Sequence, residues 1–166
     1  MKKLILPLIC CTLGPLFLYS NGLPLSNNFA DPDYQDNKEE VMEVINQLFD
    51  GMRKGDSAMV SAVFDKNVRL ATIDTRDNVP RFREGSLRRF LNAVGTPHEN
   101  VWDEKIWDPI VEIDGNMATV WVNYAFYVGD QFSHCGVNAF QLFKSATGWK
   151  IVNLTDTRRK DNCQEP

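Results

Sequence analysis

From Val41 the apolar positions run Val41, Val44, Ile45, Leu48, Phe49 and Met52, the i, i+3, i+4, i+7 spacing that lays one stripe along a helix. Asp36 is placed to cap that helix, with Glu39 three residues later, and Gly55 can adopt the left-handed conformation that ends it. Asp56 then caps a second, short helix whose Met59, Val60, Val63 and Phe64 turn inward. The alternating, β-branched stretch from Val68 to Asp74 predicts a strand, and a polar stretch follows through Arg83. Leu87, Phe90, Leu91 and Val94 share one face of a third helix running from about Ser86 to Gly95.

Beyond that helix the period changes to that of strands. Residues 105–113 lead through Asp114-Gly115-Asn116, a strong hairpin signal, into 117–128. Gly129-Asp130 turns the chain into 131–144, and Ala146-Thr147-Gly148 turns it again into 149–158. Four long strands joined by short turns make an antiparallel meander. Without βαβ alternation the class is α+β: a curved antiparallel sheet with three helices, all from the N-terminal half, on its concave face. A bent sheet closing over helices leaves a wedge, which suits a ligand.

The N-terminus breaks the pattern. Lys2 and Lys3 precede an apolar run from Leu4 to Leu18, then Ser20, Asn21 and Gly22, which reads as a signal peptide over 1–22. The run falls short of the ~20 apolar residues that span a bilayer, and Pro7, Gly14 and Pro15 interrupt it, so no stable membrane span is expected after cleavage. Residues 23–35 are rich in Asn, Pro and Asp without period and read as a flexible arm. One domain over 36–160 and a tail over 161–166 complete the chain, and the destination is the periplasm or the cell exterior.

Charge and cysteine content narrow the range of partners and compartments. Loss of the leader leaves 16 basic against 22 acidic side chains, and the basic runs at 81–89 and 158–160 are flanked by acids, so a nucleic-acid partner is not expected. It also leaves two cysteines, Cys135 and Cys163, an even pair that invites a disulfide in an oxidising compartment.

The Gly55-Asp56 corner, Phe64-Asp65 before Val68, and the closing hairpin from Phe132 to Arg159 (FSHCGVNAFQLFK followed by GWKIVNLTDTRR) resemble the nuclear transport factor 2-like superfamily. That superfamily includes SnoaL-like polyketide cyclases, ketosteroid isomerase, scytalone dehydratase and exported bacterial proteins of undefined activity. The likeness covers about 36–160 and implies a cone-shaped fold, a pocket and, as in many relatives, a homodimer. It does not imply a reaction.

Within that frame the candidate chemistry centres on His134. By parity His134, Gly136, Asn138, Phe140 and Leu142 share one strand face, an apolar wall with polar handles. His134 reads either as a satisfied rim histidine or as a proton-transfer group oriented by Asp156 across the last hairpin. Asp156 could instead pair with Arg158 or Arg76. Tyr124 and Tyr127 have opposite parity, so one faces inward, and ketosteroid isomerase shows what such a hydroxyl can do for an enolate oxygen. Trp107, Phe140 and Arg158 complete the expected ligand-binding set. His134 and Cys135 point to opposite faces and no second pair exists, so no metal is expected, and no motif calls for a cofactor.

The sequence therefore predicts an exported protein that binds a small apolar or aromatic molecule. The alternatives are a cofactor-independent lyase or isomerase using His134 with Asp156, and a dimeric interaction module.

Overall fold

The computed structural model describes residues 32–77 and 79–163, so the expected signal peptide lies outside the described residues. Helix α1 spans Pro32–Lys54, α2 Ser57–Ala62 and α3 Leu87–Gly95. The strands are β1 (Phe64–Asp74), β2 (Arg81–Glu84), β3 (Trp102–Asp114), β4 (Met117–Val128), β5 (Gln131–Ser145) and β6 (Gly148–Arg158). They form one sheet in the order β2-β1-β6-β5-β4-β3.

The apolar stripe on α1 is the one its spacing predicts: Val41, Ile45, Leu48, Phe49 and Met52 are all buried. Each such side chain contributes about 1.5–3 kcal/mol when removed from water. The helix starts at Pro32, ahead of the expected cap at Asp36, so residues 32–35 are helical and not part of an arm. Proline is well suited to a first helical turn because its missing N–H would have no partner there. At the other end Gly55 takes φ +66° and the Asp56 N–H donates to the Gly51 carbonyl at 2.8 Å, closing the helix. Asp56 caps α2 by accepting from the Ala58 and Met59 N–H groups, and Ser86 caps α3 by accepting from that of Arg89.

The sheet is mixed, not purely antiparallel: β1 runs parallel to β6, while the remaining pairs are antiparallel. β2, at the end of the polar stretch read after the first strand, is a fully exposed edge strand. Irregularities interrupt the ladders of β1 with β6, β3 with β4, β4 with β5, and β5 with β6. Each bends its strand and raises its twist, and together they give the open, curved half-cone that holds the helices.

These bulges also decide which residues look inward. In β3 the shift between Trp107 and Ile110, where Asp108 takes φ +51° before Pro109, moves the inward set from Trp102, Glu104 and Ile106 to Val111 and Ile113. In β6 it moves from Trp149 and Ile151 to Leu154 and Asp156. One end of the cone is thereby filled with Val120, Val122, Phe140, Leu142 and Ile151 against α1 and α2. At the other end the sheet stands away from the helices and a cavity opens.

Candidate functional site

The cavity has a volume of about 420 Å3. Its apolar walls are Leu48, Phe49 and Met52 from α1, Phe90 and Ala93 from α3, and Trp102, Phe126 and Leu154 from the sheet. The rings form a chain: His98 stacks on Trp102 at 4.0 Å, Trp102 meets Phe126 edge-on at 6.0 Å, and Phe126 lies 5.1 Å from His134. Such surfaces favour flat, polarisable ligands.

The floor is polar. Glu104 on β3, Tyr124 on β4, His134 and Asn138 on β5, and Asp156 and Arg158 on β6 converge there. Asn138 Nδ2 donates to Glu104 Oε1 at 2.6 Å. Asp156 accepts from Thr72 Oγ1 at 2.6 Å and from Arg158 Nε at 2.6 Å. Tyr124 donates its hydroxyl to the Thr157 carbonyl at 2.8 Å, which takes its ring across β5.

Gly136 makes that crossing possible. A Cβ at this position would sit 1.8 Å from the Thr157 oxygen and 2.8 Å from the Tyr124 ring. Because the Thr157 carbonyl is turned to the tyrosine, the Thr157 hydroxyl accepts from the Val137 N–H at 3.0 Å. The Val137 N–H thereby keeps a partner.

Electrostatics separates the two central groups. Burial pushes the Glu104 carboxyl up to about 7, opposed by the Asn138 hydrogen bond, while Asp156 raises it and Arg158 lowers it. Burial pushes the His134 imidazole down to about 4, with the Arg158 and Arg76 charges acting in the same direction. His134 is therefore neutral at pH 7 and Glu104 is divided between its two forms. Burial, with the charges of Glu104 and Asp156, also raises the Tyr124 hydroxyl above its ordinary range, so it acts only as a neutral group. At the cavity edge Arg76 holds Asp74 in a two-point ion pair, which keeps that carboxyl well below the usual range.

Of the residues expected from sequence, His134, Asn138, Tyr124, Asp156 and Arg158 line this cavity. The expected His134–Asp156 pair takes another form. The register sets Asp156 opposite Asn138, its oxygens are taken by Thr72 and Arg158, and the His134 ring bonds through Nδ1 to Ser133 Oγ at 2.9 Å. Tyr127 lies outside the cavity, packed edge-on to Phe132 with Lys105 Nζ 4.8 Å from its ring centre. Trp107 shares the parity of Asp103 and Lys105 and also lies outside; the tryptophan of the cavity is Trp102. Phe140 is core, edge-on to Phe49 at 6.3 Å. Cys135 and Cys163 are joined by a disulfide with Cα atoms 5.8 Å apart, which ties the C-terminal tail to β5 beside His134.

Glu104 escaped the sequence reading, and Arg76, expected there only as an alternative partner of Asp156, is held by Asp74. The available signal for Glu104 was a lone acid flanked at i±2 by Trp102 and Ile106, an ionisable side chain on an apolar strand face. Among the described residues no group of three His, Cys, Asp or Glu side chains is arranged to hold a metal, and no helix is long and apolar enough to cross a membrane.

This architecture is that of the nuclear transport factor 2-like cone. The chain belongs to the family described as "Putative lumazine-binding", whose model matches residues 36–155. Among solved structures it is similar to a nuclear transport factor 2-like protein with a cystatin-like fold from Novosphingobium aromaticivorans, at TM-score 0.63 and 15% identity over 81% of this chain and 89% of that one. A superfamily protein from Salmonella enterica serovar Typhimurium gives TM-score 0.59 and 20% identity over 77% and 94%. A "putative dehydratase" of the same superfamily from Streptomyces avermitilis gives 0.55 and 14% over 75% and 97%. Identities this low show the fold alone. Among curated proteins none matches.

Proposed function

We propose that this protein binds a small, planar, largely aromatic molecule in the cavity between α1, α3 and the sheet. The observation that carries the reading is an aromatic-walled space of about 420 Å3 with a buried carboxyl–amide pair, Glu104 and Asn138, on its floor. Sites with mostly apolar walls and a few fixed polar groups are built for such ligands. The family's description as lumazine-binding supports a fused nitrogen heterocycle as the class. Thermal melting with added lumazine, comparing the natural protein with Ala93→Phe, tests it. Stabilisation growing as RT ln(1 + [L]/Kd) in the natural protein and abolished by the cavity-filling side chain is expected. Equal melting with and without compound in both proteins, for lumazine and related heterocycles, counts against it.

A second reading, cofactor-independent proton transfer, is favoured by one observation: a buried carboxyl with a pKa of about 7 in the cavity. The base in that case is Glu104. His134, whose conjugate acid sits at about 4, is too weak a base for the role that sequence suggested, and Asp156 is committed to Arg158. The "putative dehydratase" of the same fold supports this alternative. Solvent deuterium exchange into a bound ketone, lost in Glu104→Gln, would establish it; no exchange into any ketone shown to bind would remove it.

Export and self-association belong to the same proposal. The leader over 1–22 and the Cys135–Cys163 bond support an oxidising destination, which N-terminal sequencing of the secreted protein tests. Ile110 and Trp121, paired across β3 and β4 on the outer sheet face and both more than half exposed, support a dimer through that face. Light scattering decides it, and a monomer at high concentration counts against it.

A further inference from the structure

The polar floor says more about the ligand than that it is flat. Glu104 is buried, and one of its oxygens, Oε1, accepts from Asn138 Nδ2. The other, Oε2, has no partner among the described residues, yet no fully enclosed side-chain oxygen or nitrogen there lacks one. Oε2 therefore opens on the cavity. Asn138 Oδ1, likewise without a partner among the described residues, opens on the cavity too. Two acceptors on adjoining side chains thus face the space a ligand would fill.

Among the described residues Glu104 makes no hydrogen bond besides that from Asn138, although the Arg158 charge favours its ionised form. From β6, Arg158 and Asp156 are paired with each other, and no cation forms an ion pair with Glu104 among the described residues. From β4 the Tyr124 hydroxyl is donated to Thr157, and from β5 His134 is neutral. Helix α1 presents Leu48, Phe49 and Met52, while its Arg53 is held by Asp50 and Asp103. Arg76 is engaged by Asp74. A buried carboxylate is costly unless donors reach it, and a ligand entering the cavity can supply N–H donors to Oε2.

Resting on the pocket reading above, we infer that Glu104 with Asn138 is the specificity element of this site, selecting planar nitrogen heterocycles that present an exocyclic amino group beside a ring N–H over their oxo counterparts. Two parallel N–H donors match a carboxylate edge, whereas a carbonyl in the amino position sets lone pair against lone pair. The ligand's donors favour the ionised form of Glu104, so binding near pH 7 releases a proton.

Calorimetric titration of the intact protein with 2-aminopteridin-4-one and with pteridine-2,4-dione tests this, because the two differ at a single ring position. The natural protein is expected to bind the amino compound at least about tenfold more tightly, the worth of one charge-assisted hydrogen bond. Repetition in buffers of different ionisation enthalpy is expected to show proton release. Glu104→Gln keeps an acceptor for Asn138 but no charge, and is expected to lose both the preference and the proton release. Equal or tighter binding of the dione, or a preference kept in Glu104→Gln, overturns the inference and leaves the pocket reading standing. Binding of neither compound overturns the inference, and the pocket reading falls with it only if no related heterocycle stabilises the natural protein against melting. Should Glu104→Gln fail to fold, the preference and proton release of the natural protein decide.

Discussion

Asn138 donates to Glu104 across the cavity floor at 2.6 Å, joining β5 to β3 over the strand between them. The bond stabilises the ionised carboxyl and offsets part of its burial. Asn138→Leu is expected to cost about 1–3 kcal/mol in urea unfolding, because a buried acceptor is left without its donor. The same change moves the Glu104 titration above 7, measurable by 13C chemical shift of the carboxyl. An unmoved titration would mean that the bond is not made in solution.

Stability against pH separates the two buried groups, which pull in opposite directions. The pKa of Glu104 is raised on folding, so its contribution is fully present below about 4.5 and is lost as pH rises to about 7. The pKa of His134 is lowered, so its contribution is present above 6.5 and is lost as pH falls toward 4. Between about pH 4.5 and 6.5 the two largely cancel. Glu104→Gln is therefore expected to become more stable as pH rises through that window and His134→Asn less stable, each by roughly 2–3 kcal/mol across it. Parallel profiles for the two variants would refute the assignment.

Gly136 is required by contact, not by backbone angle. Gly136→Ala drives a methyl into the Thr157 carbonyl and the Tyr124 ring and is expected to cost about 3 kcal/mol or more. Tyr124→Phe, which loses the hydroxyl bond to Thr157 and the longer one to Asp156 at 3.4 Å, is expected to cost about 1–2 kcal/mol. Denaturant midpoints rank the pair, and a harmless alanine would show that β5 and β6 are not held as described.

The Cys135–Cys163 bond closes a loop with a sequence separation of 28. In the chain-entropy model a loop of that size stabilises by about 3–4 kcal/mol. Reductant, or Cys135→Ser with Cys163→Ser, is expected to lower the melting temperature by the same amount, with no further effect of reductant on the double variant. Melting unaffected by reductant would mean that the bond contributes nothing to the fold.

The helices were legible because their signals are local: a buried stripe on α1, glycine and aspartate at the first corner, serine before α3. The parallel pairing of β1 with β6 was not, since partners as distant as Thr72 and Asp156 leave no mark in either segment. β2, exposed at all four positions, carries no alternation to read. Site residues divided along the same line. His134 and Asn138 follow from parity within one strand, whereas Glu104 required β3 to begin at Trp102, ahead of the Lys105 start read from sequence. Parity made one of Tyr124 and Tyr127 face inward without saying which, and Trp107 entered by its chemistry; Tyr127 and Trp107 are excluded by the faces they occupy. The Pro109 inside a long strand was the readable sign that parity changes there.

If the cavity holds a small molecule, the protein carries it out of its own host. Native mass spectrometry of the protein purified from its own host, beside Ala93→Phe prepared identically, tests it most directly. A stoichiometric mass excess from a nitrogen heterocycle is expected on the natural protein, lost on collisional activation and missing from the variant. Bare protein mass in both, under conditions that preserve weak complexes, would contradict it.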